Sequence, residues 1–311
     1  MRVVVAGGAG FLGSHLCDSL LARGDEVVAL DNLSTGSLGN LEVARAHRGF
    51  RFFECDVAAG FSYAGHVDAV LHLASPASPP AYLARPLQTL AVGSEGTRRL
   101  LELAGASGAR FILASTSEVY GDPLEHPQRE EYWGNVNPIG PRSVYDESKR
   151  FAEALTFAHH RALGAGIGIA RIFNTYGPRL SPGDGRVVST FIAQALSGDP
   201  LTVFGDGTQT RSVCYVSDLV AGLIALLDAD VTGPVNLGNT LEFTMLEIAH
   251  RVLAATGSSS PIVHEALPID DPTRRRPDIQ RAAAQLGWEP VVSFETGLAQ
   301  TIEHFRSIAA S

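Results

Sequence analysis

The stretch Arg2-Val3-Val4-Val5-Ala6-Gly7-Gly8-Ala9-Gly10-Phe11-Leu12-Gly13-Ser14-His15-Leu16 decides the reading of the chain. Residues 2–6 form a short β-branched run. A glycine cluster follows, then an apolar-periodic segment (Phe11, Leu12, Leu16, Leu20, Leu21) that predicts a helix ending near Gly24. Glycines at GxxGxxG spacing between a strand and a helix permit a tight turn, close backbone approach to a pyrophosphate, and close helix–strand packing. The next strand, Val27–Leu30, is followed by Asp31, at the distance expected of a carboxylate that accepts from ribose hydroxyls and repels a 2′-phosphate. The expectation is a Rossmann-type fold that binds NAD in preference to NADP.

Working outward, strands are predicted at Phe50–Cys55, Ala69–Leu73, Arg110–Ala114, Gly166–Ile172 and Val235–Leu237. Helices are predicted from Pro86 through Leu103 to a stop at Gly105 or Gly108, and at Val144–Leu163, Val187–Ser197, Val216–Leu227, Thr244–Thr256 and Glu295–Ser307. Strands alternating with helices imply an α/β doubly wound parallel sheet. Gly and Pro cluster from Gly177 onward, which predicts a smaller C-terminal substrate lobe over the carboxyl ends of the strands. The expected division is residues 1–177 and 212–238 for the NAD-binding domain, with 178–211 and 239–311 for the lobe.

Composition narrows the classes. The 311 residues are 45% hydrophobic and 18% charged, which suits a well-cored globule and excludes disorder. A net charge of −9 argues against nucleic acid. No apolar run approaches the roughly 20 residues of a membrane span, and no signal-like segment follows Met1, so the expected location is cytoplasmic. Cys17, Cys55 and Cys214 are widely spaced and read as reduced thiols; His47, His159 and His160 lack companion acids at metal spacing, so no metal is expected. Of 24 basic residues 23 are Arg, and Lys149 is the one Lys. In a sequence so biased toward Arg, a retained Lys marks a place needing a compact charge of tunable pKa. Tyr145 stands one helical turn before it, where an adjacent ammonium is expected to lower the phenol's pKa. Ser115-Thr116-Ser117-Glu118 puts hydroxyls and a carboxylate at the end of a strand.

With these residues in place, the chain resembles the nucleotide-sugar branch of the extended short-chain dehydrogenase/reductases over nearly its whole length. Within that branch it is most similar to the UDP-glucuronic acid decarboxylase family. The resemblance rests on HLASPASPP at 72–80, STSEVYGDP at 115–123, Glu131-Tyr132-Trp133-Gly134 through Asn137-Pro138-Ile139-Gly140-Pro141-Arg142, ARIFNTYGPR at 170–179, DGRVVS at 184–189 and Asp270-Asp271-Pro272. It implies NAD-dependent oxidation at the sugar C4, loss of carbon dioxide, and re-reduction to UDP-xylose, with possible release of a UDP-4-keto-pentose. The alternatives are an NAD-dependent nucleotide-sugar epimerase or 4,6-dehydratase, and, outside catalysis, an NAD-binding regulator. A serine at 117, where dehydratases carry Asp, speaks against dehydration.

The resemblance assigns catalysis to Tyr145, Lys149, Thr116, Ser117 and Glu118, with Glu118 orienting the sugar and managing the C5 proton. It assigns NAD to Gly7, Gly10, Phe11, Leu12, Gly13, Asp31, Asn32, Ser34, Thr35, Gly36, Asp56, Val57, Leu73, Ala74, Ser75, Tyr145 and Lys149. The UDP-sugar falls to Pro76, Ser78, Glu118, Tyr145, Asn174, Arg179, Arg186, Val188, Thr202, Phe204, Gln209, Arg211, Tyr215 and Arg275, with Arg211 and Arg275 expected near the diphosphate. A homodimer is implied, expected to form through helices Pro86–Ala104 and Val144–Leu163. Two departures stand out: Gly93 where the family carries Asn in an NxxGT block, and Gln88 where it has Lys. The first is expected to remove a hydrogen bond behind the active site.

Overall fold

A computed structural model describes residues 1–61, 63–267 and 274–309. Asp270-Asp271-Pro272 lies outside them. The amino-terminal half alternates as the sequence predicts. Strands are β1 (Arg2–Ala6), β2 (Glu26–Asp31), β3 (Phe50–Glu54), β4 (Ala69–His72), β5 (Arg110–Thr116) and β6 (Ile167–Ile172). The helices between them are α1 (Phe11–Ala22), α2 (Glu42–Arg45), α3 (Pro79–Ala84), α4 (Pro86–Ala91), α5 (Thr97–Ser107) and α6 (Ser143–Leu163). The remainder contains strands β7 (Thr175–Tyr176), β8 (Leu201–Phe204), β9 (Thr210–Ser212), β10 (Cys214–Tyr215), β11 (Pro234–Leu237), β12 (Glu242–Thr244), β13 (Ile262–Glu265) and β14 (Arg274–Arg275). Its helices are α7 (Val187–Ser197), α8 (Val216–Asp228), α9 (Met245–Thr256), α10 (Gln280–Leu286) and α11 (Phe294–Ala309).

Seven strands form the central sheet in the order β11-β6-β5-β4-β1-β2-β3, all parallel. Parallel strands need crossovers and are covered on both faces, which is why β1 and β4 read as unbroken apolar runs without alternation. One core cluster packs α1 and α8 on one face; a second packs Leu100, Leu101 and Ala104 of α5 with Ala152 of α6 on the other. The order reverses at β1 and β4, so a crevice opens at their carboxyl ends. Three small sheets, β10-β7, β12-β9-β14 and β13-β8, lie outside the prediction. Their strands of two to four residues are too short to show a period of two.

The long helix predicted from Pro86 is interrupted. Between α4 and α5, Val92–Gly96 forms a π-helical turn, and the helix stops at Gly108 (φ +64) rather than Gly105. The turn brings Gly93 against α6: a Cβ there would lie 2.6 Å from Ser148 Cβ and 2.7 Å from the Ser148 carbonyl oxygen. The departure from Asn therefore trades a side chain for a closer helix–helix approach, directly behind Lys149. Gly93→Asn should overpack this contact and lower stability by about 1–3 kcal/mol, read as a lower Tm with reduced activity. An unchanged Tm would count against the close approach.

Candidate active site

The glycine loop lies under the carboxyl end of β1. Gly7 (φ +82) and Gly8 donate to the Leu30 carbonyl, and Gly10 donates to the Gly7 carbonyl. A Cβ at Gly13 would lie 2.0 Å from Gly7 O, so only glycine lets α1 approach this closely. Helix α1 starts at Phe11 with no side-chain cap. Its first-turn residues line a cavity of about 1240 Å³, larger than the roughly 300–1,000 Å³ of an ordinary small-ligand pocket. Uncapped N–H groups and the helix dipole suit a pyrophosphate there. Asp31 is 9% exposed and accepts from the Ala9 N–H (2.9 Å) and the Leu33 N–H (2.8 Å). Burial raises its pKa, against the pull of those N–H groups. Asp31 thus holds the loop as well as closing the second strand. Glycine cradle, uncapped helix and carboxylate together fit a dinucleotide.

Helix α6 brings the catalytic candidates to the same cavity. Lys149 is 4% exposed, and its Nζ donates to the Ala114 carbonyl at 2.8 Å. The Nζ stands 5.9 Å from the centroid of the Tyr145 ring. Burial pulls the Lys149 ammonium down to about 8, opposed by the charge of Glu153. Tyr145 stacks on Tyr82, ring centroids 5.2 Å apart and planes within 7°. The expected lowering of the phenol is not found: burial pushes Tyr145 up to about 12, with Thr116, hydrogen-bonded to it, pulling the other way. Desolvation of an enclosed phenol dominates, and the neighbouring carboxylate of Glu118 adds to it. Lys149 and Tyr145 therefore share a wall of the cavity, with the phenol neutral at pH 7.

Beyond Tyr145, a 3-10 turn at Ser117–Tyr120 presents Glu118 between two guanidiniums, Arg275 Nη1 at 2.6 Å and Arg142 Nη2 at 2.9 Å. Burial alone would raise the carboxyl, but Arg275 and Arg142 outweigh it and hold Glu118 well below the usual range. A carboxylate so stabilised is suited to accept hydrogen bonds. The expected place of Arg275 also changes. It pairs with Glu118, on β14 in register with Arg211 of β9, and its buried Nε and Nη2 have no partner among the described residues. Arg186 is held by Asp184 through Nη2 (2.8 Å) and Nε (2.5 Å). Arg179 (φ +67) pairs with Asp18 of α1 at 2.7 Å, facing the glycine-loop helix rather than the far end.

Of the residues singled out from sequence, the cavity wall includes Gly7, Gly10, Phe11, Leu12, Gly13, Thr35, Leu73 and Ser75. It also includes Ser78, Thr116, Ser117, Glu118, Tyr145, Lys149, Asn174, Arg179, Arg186, Val188, Thr202, Phe204, Gln209, Arg211 and Arg275. Asp31, Asn32, Ser34, Gly36, Asp56, Val57, Ala74, Pro76 and Tyr215 are outside that wall. Asn32 and Asp56 side chains close turns on the N–H groups of Ser34 and Ala58. Val57 is core, and Gly36 and Ala74 back the glycine loop at Ala9 and Gly7. The Tyr215 hydroxyl donates to Gln300 while its ring meets Tyr176, which places it in packing. Sequence reasoning missed Tyr82, Arg142 as the second clamp on Glu118, and Asp184. A tyrosine and a proline-led start at 79–82 was the one local signal for the first.

This fold and cavity define a dinucleotide-dependent enzyme of the short-chain dehydrogenase/reductase type. Residues 3–238 match the model of the NAD dependent epimerase/dehydratase family, and the chain belongs to that family, with NAD as its cofactor. It is 53% identical to UDP-glucuronic acid decarboxylase 1 of Arabidopsis thaliana over 99% of this chain and 70% of that protein. It is 52% identical to UDP-glucuronic acid decarboxylase 1 of Xenopus tropicalis over 98% and 72%. Among solved structures, UDP-glucose 4-epimerase of Thermotoga maritima, with UDP-glucose, superposes with a TM-score of 0.90 at 30% identity, covering 99% of this chain and all of that one. UDP-glucuronic acid 4-epimerase of Bacillus cereus, in complex with UDP-glucuronic acid and NAD, gives 0.87 at 28% identity, covering 99% and 100%.

Lys149→Arg tests whether a compact charge is required. The Lys149 ammonium donates to Ala114 O from an almost fully buried position, and a planar guanidinium differs from it in shape and donor geometry. The variant should keep its far-UV circular dichroism and lose about 100-fold or more in kcat. Near-unchanged turnover would show that charge alone suffices.

Proposed function

We propose that this protein is a UDP-glucuronate decarboxylase, converting UDP-glucuronate to UDP-xylose and carbon dioxide. The observation that carries the reading is Arg275: a guanidinium 5% exposed, paired with Glu118 in the cavity wall that also holds Tyr145, its Nε and Nη2 without a partner among the described residues. Two such donors on one edge of a planar fork suit a carboxylate or a phosphate, and the C6 group of a glucuronate is such a carboxylate. The decarboxylases that share half of its residues support the same choice over the epimerases. Ser117 supports it over dehydration, since a serine hydroxyl cannot act as the acid that expels a C6 hydroxyl.

NAD, when bound along the glycine loop, supplies reversible hydride transfer at C4 of the sugar. The chain's residues do the rest. Tyr145 exchanges the proton of the C4 hydroxyl, with Thr116 hydrogen-bonded to its phenol. A ketone at C4 makes the C6 carboxylate part of a β-keto acid. The C5–C6 bond then breaks, its electron pair enters the carbonyl, and carbon dioxide leaves without an acid catalyst. Protonation at C5 restores the ketone. Glu118, kept ionised by Arg142 and Arg275, accepts from sugar hydroxyls, and Asn174 and Arg186 complete that wall. Arg211, with Thr202, Phe204 and Gln209, takes the diphosphate and base in a lobe formed by 178–211 and 239–311. Arg179, paired to α1, serves the cofactor side. Asp31 meets the adenosine ribose.

A homodimer fits the surface: Leu87 and Leu90 of α4 are 76% and 38% exposed and Phe151 of the adjoining α6 is 51% exposed, an apolar face on the helices expected to pair, with Leu83 of α3 (50% exposed) before them in the chain. Among the described residues no helix is long and apolar enough to cross a membrane, and the three cysteines are unpaired, in keeping with a reducing, cytoplasmic setting. Leu87→Glu should shift sedimentation from dimer to monomer; an unmodified protein that sediments as a monomer at micromolar concentration would refute the assembly.

The chemistry is tested with UDP-glucuronate carrying deuterium at C4. Retention of deuterium at C4 of the UDP-xylose, without added reductant and with a solvent hydrogen at C5, is the expected mass spectrum. Loss of the label would rule out return of the same hydride, and unconsumed UDP-glucuronate would remove the substrate assignment.

A further inference from the structure

Behind the catalytic wall lies a buried network that the reaction does not itself require. Glu153 stands on α6 one turn after Lys149. Its Oε1 accepts from Ser115 Oγ at 2.6 Å and from Arg171 Nε at 3.0 Å; its Oε2 accepts from Arg171 Nη2 at 2.7 Å. Both side chains of the pair are nearly enclosed, 12% and 13% exposed. Arg171 Nη1 also donates to the Tyr120 hydroxyl and the Glu130 carbonyl, and the Tyr120 hydroxyl donates to Asn236 Oδ1. Asn236, Arg171 and Ser115 are register partners across β11, β6 and β5. The network thus spans three strands at one level, immediately beneath Thr116 and Glu118.

Two consecutive residues of β5 are tied to two residues one helical turn apart on α6: Ala114 O to Lys149, and Ser115 Oγ to Glu153. A pair of bonds of this spacing fixes both the distance and the axial position of a helix against a strand. Breaking a buried ion pair is costly while its presence adds little stability by itself, so its retention here asks for a positional reason. We propose that Glu153, paired with Arg171, is a positioning residue of the active site: through Ser115 it locks the helix bearing Tyr145 and Lys149 onto the strand end bearing Thr116 and Glu118, and it is the carboxylate that faces the Lys149 ammonium.

The charged and titratable groups around Lys149 come from every element packed on it. Tyr145 and Glu153 are on its own helix. His72 of β4, which burial and then the Lys149 charge hold down to about 3, stays neutral. Arg171 of β6 sits beyond Glu153, and Glu118 lies past Tyr145. Against burial, Glu153 is the group that favours the charged lysine. This gives the pair a readout that a purely structural contact would lack.

The proposal rests on the decarboxylase reading for its kinetic arm only. Lys149 is the one lysine in the sequence, so protein labelled with [ε-13C]lysine gives a single NMR signal whose titration needs no assignment and no substrate. In the unmodified protein the midpoint is expected at about 8. Glu153→Gln removes the negative charge and leaves Arg171 unbalanced, so the midpoint should fall by about half a pH unit or more. Arg171→Gln leaves Glu153 unbalanced and should move it the opposite way. Ser115→Ala keeps the ion pair and cuts the link to the strand: the lysine midpoint should stay in place while kcat on UDP-glucuronate falls about tenfold with KM little changed. An unmoved lysine midpoint in Glu153→Gln, or unchanged kcat in Ser115→Ala, would overturn the proposal. If Glu153→Gln does not fold, the Arg171→Gln titration and Ser115→Ala kinetics decide in its place. Failure of the unmodified protein to consume UDP-glucuronate would instead strike the function reading, leaving the lysine titrations to judge Glu153.

Discussion

An ammonium withdrawn from water must be compensated at close range, and in this protein the interior is built around one such group. Lys149 is almost fully enclosed, its ammonium bonded to the Ala114 backbone carbonyl. Holding that charge beside the Tyr145 phenol in the cavity wall requires α6 to lie tightly on the carboxyl end of β5. The close approach at Gly93 permits this from one side, and the Glu153–Arg171 pair fixes it from the other. The π turn at Val92–Gly96 has a place in the same arrangement, because it delivers a residue without a Cβ to the crossing point. The cost of desolvating Lys149 shows in a pKa near 8, close to neutrality, where its proton can be lost or regained at little expense.

The opposite wall solves a related problem with surplus charge. Glu118 and Asp184 are nearly enclosed carboxylates, and Arg142, Arg275, Arg186 and Arg211 line the same cavity. Pairing satisfies the carboxylates, and among the described residues it leaves two donors of Arg275 over. The cavity is thus short of anions before a ligand enters, and a nucleotide sugar with a diphosphate and a carboxylate makes up the deficit. The same excess favours the ionised form of Glu118.

Much of the fold was legible because its signals are local. The β1 run, the glycine spacing, Asp31 at the end of β2 and the alternation of strand and helix are each readable within 30 residues, and the parallel sheet follows from them. Lys149 was legible for a different reason: in a chain that uses Arg elsewhere, its retention carries information about chemistry. The π turn was not legible, since Pro86 to Ser107 has the composition of one continuous helix and the interruption comes from packing against α6. The small sheets were equally hidden, because their strands are too short to show a pattern and pair with partners far away in the chain, as Arg274 does with Thr210.

The sequence by itself determined the doubly wound sheet, the dinucleotide loop and the presence of Tyr145, Lys149, Thr116 and Glu118, because backbone geometry and side-chain chemistry at those positions need no distant partner to be recognised. Tertiary structure alone decided what those groups are worth. It set the Tyr145 phenol upward and not downward, assigned Arg275 to Glu118, turned Arg179 toward α1, put Tyr215 into the core, and stacked Tyr82 on Tyr145. Each of these depends on burial or on a partner far away in the chain. Desolvation and ion pairing act through space over a few ångströms, and those few ångströms exist only once the chain has folded.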